Sequence, residues 1–198
     1  MAEFRNTAPP DREWWEALWP DPRGTLGSLG IDGCESLVDV CCGDGHFTVP
    51  AAELVSGTVY GVDLDPDLLA ALESRTGPTE RIEAIEGDAM ALPDLLPEPV
   101  ECALLANTLH GVPEKTALAE AVAAVLEPGG RFVVINWIDA PPAETPVLGE
   151  PRGPPEELRM TPEETVAAIE AADFAVRERT SVSPHHYAVV FERTSPVA

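Results

Sequence analysis

Ser36-Leu37-Val38-Asp39-Val40-Cys41-Cys42-Gly43-Asp44-Gly45 decides how the rest of this 198-residue chain is read. A short apolar run carries a carboxylate one residue before its end and passes directly into a loop holding two glycines, as when a buried strand delivers a polar group to a ligand. Residues 46–55 then have the pattern of a helix. Outward from there, residues 58–62 form a second strand ending at Asp63, and Asp65-Pro66 opens a helix through Glu73, with proline suited to its first turn. Residues 81–85 are a third strand stopped by Gly87-Asp88, and residues 100–106 a fourth, continuously apolar as expected of burial on both faces. Residues 113–126 are a helix ended by Pro128-Gly129-Gly130, and residues 131–137 a fifth strand. Strands alternating with helices predict βαβ units and a parallel sheet.

The flanks differ. Pro9-Pro10-Asp11 reads as a helix entry, residues 13–19 as a short helix stopped by Pro20 and Pro22, and the stretch from there to Ser36 as a glycine-rich connector. Residues 140–155 form a long connection carrying six prolines. Thr161-Pro162-Glu163-Glu164 combines an N-cap, a helix-starting proline and a capping-box acid, with a helix to about Ala171. Residues 174–179 and 187–193 alternate about a polar turn with Pro184 and read as an antiparallel pair closing the sheet. One α/β domain is expected over residues 31–198, with residues 1–30 a helical extension or lid.

Composition removes several classes of function. Twelve Lys+Arg stand against 35 Asp+Glu, a net charge of −23, while 44% hydrophobic residues exclude general disorder. Lys115 is the one lysine and the arginines are scattered, so a polyanion meets net repulsion and no basic stripe exists to hold phosphates; no nucleic-acid partner is expected. No apolar run approaches the ~20 residues that span a bilayer, and Met1-Ala2-Glu3-Phe4-Arg5 lacks the features of a secretory signal, which predicts a cytoplasmic protein with no membrane partner. So acidic a surface suits a salt-rich cytoplasm. On that halophilic reading the melting temperature rises with added KCl, and a melting temperature indifferent to KCl contradicts it. Cys34, Cys41, Cys42 and Cys102 show neither CxxC spacing nor scaffold density, so free thiols and no metal site are expected.

Three acids carry the chemistry. Asp39, Asp63 and Asp88 stand at the ends of three successive strands, where open parallel sheets bind ligands. A carboxylate ending the second strand suits a ribose diol, and Gly43 and Gly45 allow close backbone approach. A dinucleotide fingerprint would place a third glycine at Thr48. Asp39 and Asp44 surround the loop with negative charge, which repels a pyrophosphate and attracts an ammonium or sulfonium. This charge pattern points to S-adenosylmethionine.

The same residues resemble the class I S-adenosylmethionine-dependent methyltransferases, of small-molecule type. Val38 to Gly45 is similar to the first family motif, Gly61-Val62-Asp63-Leu64-Asp65-Pro66 to the second, and Glu86-Gly87-Asp88-Ala89 to the third. Leu104 to His110 resembles the fourth, and Leu126-Glu127-Pro128-Gly129-Gly130-Arg131-Phe132 the turn before the fifth strand. The resemblance implies a Rossmann-like, doubly wound, mostly parallel seven-stranded sheet with its last strand antiparallel and helices on both faces. It also implies that Asp39 and the loop Cys41, Gly43, Asp44 and Gly45 hold the methionine end. Asp63 would take the ribose with Leu64 against the adenine, Asp88 and Ala89 the adenine edge, and Asn107 would close the site. Cys41 departs from the pattern by replacing the first motif glycine.

The implied reaction needs mainly orientation, plus a base if the acceptor must lose a proton. His110, His186 and Tyr187 are the candidates for that role, each equally readable as a structural side chain. Trp15 shares a helix face with Trp19, fit either to dock on the sheet or to line a substrate pocket. Arg152 and Arg159 could pair an anionic substrate or nearby carboxylates. Two rival readings remain: a non-catalytic S-adenosylmethionine-binding sensor or scaffold, and a nicotinamide-type oxidoreductase disfavoured by Thr48 and the acidic loop.

Overall fold

The computed structural model describes residues 12–77 and 81–194, so the helix entry at Pro9-Pro10-Asp11 lies outside the described residues. In chain order the elements are α1 (Arg12–Leu18), α2 (Pro22–Ser28), β1 (Leu37–Val40), α3 (Thr48–Ala52), β2 (Val59–Asp63), α4 (Pro66–Thr76), β3 (Ile82–Glu86), α5 (Leu92–Leu95), β4 (Val100–Ala106), α6 (Lys115–Val125), β5 (Leu126–Trp137), β6 (Pro146–Val147), β7 (Glu150–Pro151), α7 (Pro162–Glu170), β8 (Phe174–Ser183) and β9 (His186–Arg193). Seven strands form one sheet in the order β3-β2-β1-β4-β5-β9-β8, and β6 and β7 form a small hairpin of their own. Strands β1 to β5 run parallel and β9, last in sequence, runs antiparallel between β5 and β8. The chain leaves β1 towards β2 and β3 and returns to its other side with β4, so the strand order reverses at β1. In open parallel sheets ligands bind beyond the strand ends at such a reversal.

The two faces of the sheet are covered by different helices. Val38, Val40, Val62, Ala103, Leu105, Phe132 and Val134 pack with Leu92 of α5, Leu118 and Val122 of α6, and Val166 and Ile169 of α7. On the opposite face Leu37, Val59, Leu104, Val133 and Ile135 pack with Trp14 and Leu18 of α1, Leu26 of α2 and Ala51 of α3. Period-2 alternation along each strand sends neighbouring residues to opposite covers.

Local chemistry explains the helix starts. Asp65 accepts from the Asp67 N–H at 2.9 Å ahead of Pro66. Thr161 and Glu164 exchange the two bonds of a capping box, 3.1 and 2.8 Å.

The structure differs from the sequence reading at several points. Residues 22–28 are a helix, not a connector: Asp21 accepts from Gly24 N–H at 2.8 Å and Pro22 presets the first turn, which outweighs two internal glycines. The helix expected from His46 starts only at Thr48, because Gly43 and Gly45 take φ of 57° and 81° and coil the chain first. Helix α5 is a single short turn that the sequence pattern does not mark. Strand β5 starts at Leu126, which pairs with Val100 ahead of a bulge. The proline-rich connection contains the β6–β7 hairpin, and β8 and β9 run closer to Pro184 than expected. Cys34 and Cys102 form a disulfide with Cα atoms 6.2 Å apart, where free thiols were expected. A separation of 68 residues conceals that pairing until β1 and β4 lie side by side.

Candidate functional site

Strand β1 delivers Asp39 fully buried, 2% exposed, with the Thr48 hydroxyl donating to its Oδ2 at 2.6 Å. Burial raises its pKa to about 7, with the nearby Asp63 charge adding to the shift and the Thr48 bond opposing it. A negative charge there is costly and would be favoured by an arriving cation. Asp63, at the end of β2, accepts the Gly43 N–H at 2.8 Å on Oδ2 and the Asp65 N–H at 3.0 Å on Oδ1. The second strand end therefore holds the glycine loop in shape. A Cβ on Gly43 would meet nothing within 4 Å, so the loop faces open space there; on Gly45 it would lie 2.2 Å from Leu72 Cδ1, so only glycine lets α4 pack this close.

Further groups lie at the neighbouring strand ends. Asp88 accepts from the Met90 N–H at 2.9 Å and leaves its second oxygen to a ligand. Leu64 at 60% and Met90 at 39% are two of the three large exposed apolar side chains among the described residues; Leu64 directly follows Asp63, and Met90 stands two residues past Asp88. An apolar flank beside each acid suits a flat heterocycle bearing a diol and an amino group. Beyond β4, Asn107 takes φ of 58°, a conformation asparagine tolerates, and donates its N–H to Ile135 O at 2.9 Å. Both polar atoms of its side-chain amide are buried without a hydrogen-bond partner. Such unmet groups are expected where a polar ligand binds. The residues present thus fit S-adenosylmethionine.

A methyltransferase-domain family model matches residues 37–130, the segment holding every one of these groups. This segment, just under half of the chain, is similar to the class I S-adenosylmethionine-dependent methyltransferases. It is 29% identical over 121 residues to a demethylmenaquinone methyltransferase of Bacillus licheniformis, an alignment covering 60% of this chain and 50% of that protein. The chain thus spans about half the length of the curated relatives it matches. Its fold is similar to that of a methyltransferase from Aquifex aeolicus, with TM-score 0.76, 21% identity, and 93% and 94% of the two chains covered. It is also similar to human N-acetylserotonin methyltransferase in complex with S-adenosylmethionine, with TM-score 0.66, 18% identity, and 94% and 60% covered.

Not every expected residue meets this family pocket. Ala89 is buried, and Met90 beside it carries the exposed surface. The Asp44 carboxylate is paired with Arg75 at 3.2 Å, while the Asp44 carbonyl accepts from the same guanidinium at 2.7 Å. Cys41 takes φ of 59°, the left-handed conformation that favours the family's glycine. Burial, reinforced by Asp63 and Asp39, pushes the Cys41 and Cys42 thiols far up. Both are expected to alkylate at pH 8 at least about tenfold more slowly in the native chain than in denaturant. Equal rates by intact mass would contradict that burial.

Tyr187 faces the α7 side of the sheet, where its hydroxyl donates to Met160 O at 2.9 Å and lies 2.7 Å from Thr165 Oγ1; burial pushes its pKa up to about 12. Arg159 organises the long connection, donating to Pro154 O at 3.0 Å, Arg152 O at 2.8 Å and Thr145 Oγ1 at 3.0 Å. Arg152 is exposed, its guanidinium 6.0 Å from the Trp14 ring. His186 is buried between Trp137 and Trp19, ring centroids 4.2 and 4.6 Å away, with Nδ1 2.9 Å from Ser183 Oγ. Burial lowers its pKa well below the ordinary range. Trp15 stacks on His46 at 5.4 Å, so α1 touches the loop that follows the glycines. His110 lies after β4, its Nδ1 3.4 Å from Asn136 Oδ1. Sequence reasoning missed Met90, Asn136 and Trp137. Asn136 carried a signal, as a polar residue within an apolar strand.

Proposed function

We propose that the chain transfers the methyl group of S-adenosylmethionine to a small-molecule acceptor. The observation that carries this reading is the set of strand-end groups with complementary needs: buried Asp39, loop-bound Asp63, half-used Asp88, unpartnered Asn107, and the exposed Leu64 and Met90. Asp63 would hold the ribose hydroxyls while keeping its bond to Gly43. Leu64 and Met90 would cover the adenine, with Asp88 at its amino group. Asp39 would favour the positive end of the molecule, and the Asn107 amide would meet its polar atoms. When bound, the cofactor supplies an electrophilic methyl group on a sulfonium.

The chain's residues then have two tasks. Backbone and side chains around Asn107 orient the acceptor, and a base receives a proton if the acceptor has one to lose. His110 is our assignment for that base, since burial lowers its pKa to about 4 and keeps its ring neutral at pH 7. Trp15, Trp19 and Trp137 would line the acceptor side, with residues 12–30 as the covering segment. A phenol, quinol or other planar acceptor suits such a lining. The demethylmenaquinone methyltransferase relatives support an acceptor of that kind. The net charge of −23 argues against a nucleic-acid acceptor.

A second reading, a binder that performs no transfer, is favoured by Cys41 at the left-handed position where the family has glycine. The test is incubation with methyl-labelled S-adenosylmethionine and a panel of phenols, quinols and amines. Label in an acceptor supports the transferase; cofactor binding with no transfer across the panel supports the binder.

A further inference from the structure

Asn136 is the last residue but one of β5, fully buried, and its side chain reaches across to the turn after β4. Its amide has a defined orientation, because Oδ1 accepts the Trp137 backbone N–H at 3.2 Å. The atom that faces His110 Nδ1 at 3.4 Å is therefore an acceptor. A carbonyl oxygen already taking one N–H can engage the imidazole only if Nδ1 also carries a hydrogen. A neutral ring with hydrogen on Nδ1 has its lone pair on Nε2, the nitrogen on the side away from Asn136.

We infer that Asn136 is a positioning residue that holds His110 in the Nδ1–H tautomer, leaving Nε2 bare to take a proton from the acceptor. The inference rests on the reading of His110 as base, and extends it by saying which nitrogen acts and what sets it. The logic is that of any base held by a third group. The acceptor's proton goes to Nε2, the ring becomes an imidazolium, and Asn136 Oδ1 keeps its bond to Nδ1–H throughout. An asparagine does this without adding charge, so the base stays weak and neutral in a buried setting. The acceptor class that fits a weak neutral base is one whose O–H or N–H is already acidic, such as a phenol or quinol, rather than an aliphatic alcohol.

The surroundings of the ring are consistent with this role. Lys115 at the start of α6, which donates to Val112 O at 2.7 Å, and Arg159 of the long connection both disfavour the imidazolium. His186 at the start of β9 is also within electrostatic reach. Among the described residues the groups that bear on His110 are thus cationic or neutral, and the Asn136 oxygen is the one that favours hydrogen on the ring. The amide nitrogen of Asn136 is buried without a partner. That cost is tolerated more readily if the oxygen is needed where it is.

The test reads the ring directly, in the full chain without cofactor or acceptor, so that its failure is separate from failure of the methyl-transfer reading. Long-range ¹H–¹⁵N spectra of the four histidines are recorded at pH 7, with His110→Gln supplying the assignment by loss of one set. The expected spectrum shows His110 with a protonated Nδ1 and a bare Nε2. In Asn136→Leu the ring moves towards the Nε2–H form that free imidazole prefers. In Asn136→Asp the carboxylate raises the His110 titration midpoint by about one pH unit or more. An Nε2–H ring in the wild-type chain overturns the proposal whether or not either variant folds. An unchanged tautomer in folded Asn136→Leu overturns it as well.

Discussion

Replacing Asp63 with alanine is expected to weaken S-adenosylmethionine binding by a factor of about 100 or more. Two hydrogen bonds to a charged acceptor contribute roughly 1.5–3 kcal/mol each, and on the proposed reading the carboxylate at the end of β2 accepts both ribose hydroxyls. The same side chain holds Gly43 N–H at 2.8 Å and Asp65 N–H at 3.0 Å. Its loss therefore also releases the loop that would wrap the methionine end, so the effect exceeds that of the ribose contacts alone. Calorimetric titration of wild type and variant checks this, with circular dichroism to show that the variant is folded. Affinity within threefold of wild type would remove Asp63 from the site.

Asp39→Asn should have the second largest effect, and one of opposite sign on stability and binding. The folded carboxyl has a pKa of about 7 against an ordinary 3.8. From about pH 4 to pH 7 the unfolded chain has released this proton while the folded chain retains it, so stability falls as pH rises through that window. Above pH 7 the full cost of a buried charge is present. Asparagine fills the same space, can still accept from Thr48, and does not ionise. The variant is expected to be more stable than wild type at pH 8 by up to about 4 kcal/mol, and no more stable at pH 4. Denaturant melts at the two pH values measure the difference. Cofactor affinity at pH 8 should fall by about tenfold, since the cation loses its buried counter-charge. A wild-type chain that is equally stable at both pH values relative to the variant would contradict the buried-charge account.

The parts of the fold legible in the sequence were those fixed by local chemistry. Asp39 and Asp63 stand next to or at the ends of apolar runs and Asp88 follows the alternating run Ile82–Glu86 through Gly87, so three strand ends bearing acids were legible in the sequence. Asp65-Pro66 and Thr161-Pro162 marked helix starts because capping is decided within four residues. Helix α2 is hidden in sequence because Gly24 and Gly27 have poor helix propensity, while its stability comes from burying Leu26 beside Trp19 under the sheet. The Cys34–Cys102 disulfide and the Arg159 contacts depend on chain segments that meet only after folding.

In the site the same division holds. The acids and glycines were legible because their chemistry follows from residue type and position at a strand end. Tyr187 and His186 were not separable in sequence, since neighbouring strand residues differ only in the face they take. The structure sends Tyr187 to the α7 side and His186 into the Trp19–Trp137 stack. Met90 became visible only once Ala89 turned inward. Asn136 needed the geometry of Trp137 N–H to show which end of its amide meets His110.

The most direct test of the account is heat release on titrating S-adenosylmethionine, S-adenosylhomocysteine and NAD into the full chain, at low and at molar KCl. The account predicts saturable binding of the two sulfur compounds, lost in Asp63→Ala, and none of NAD. Binding of NAD alone, or of no ligand to a chain shown to be folded, would contradict it.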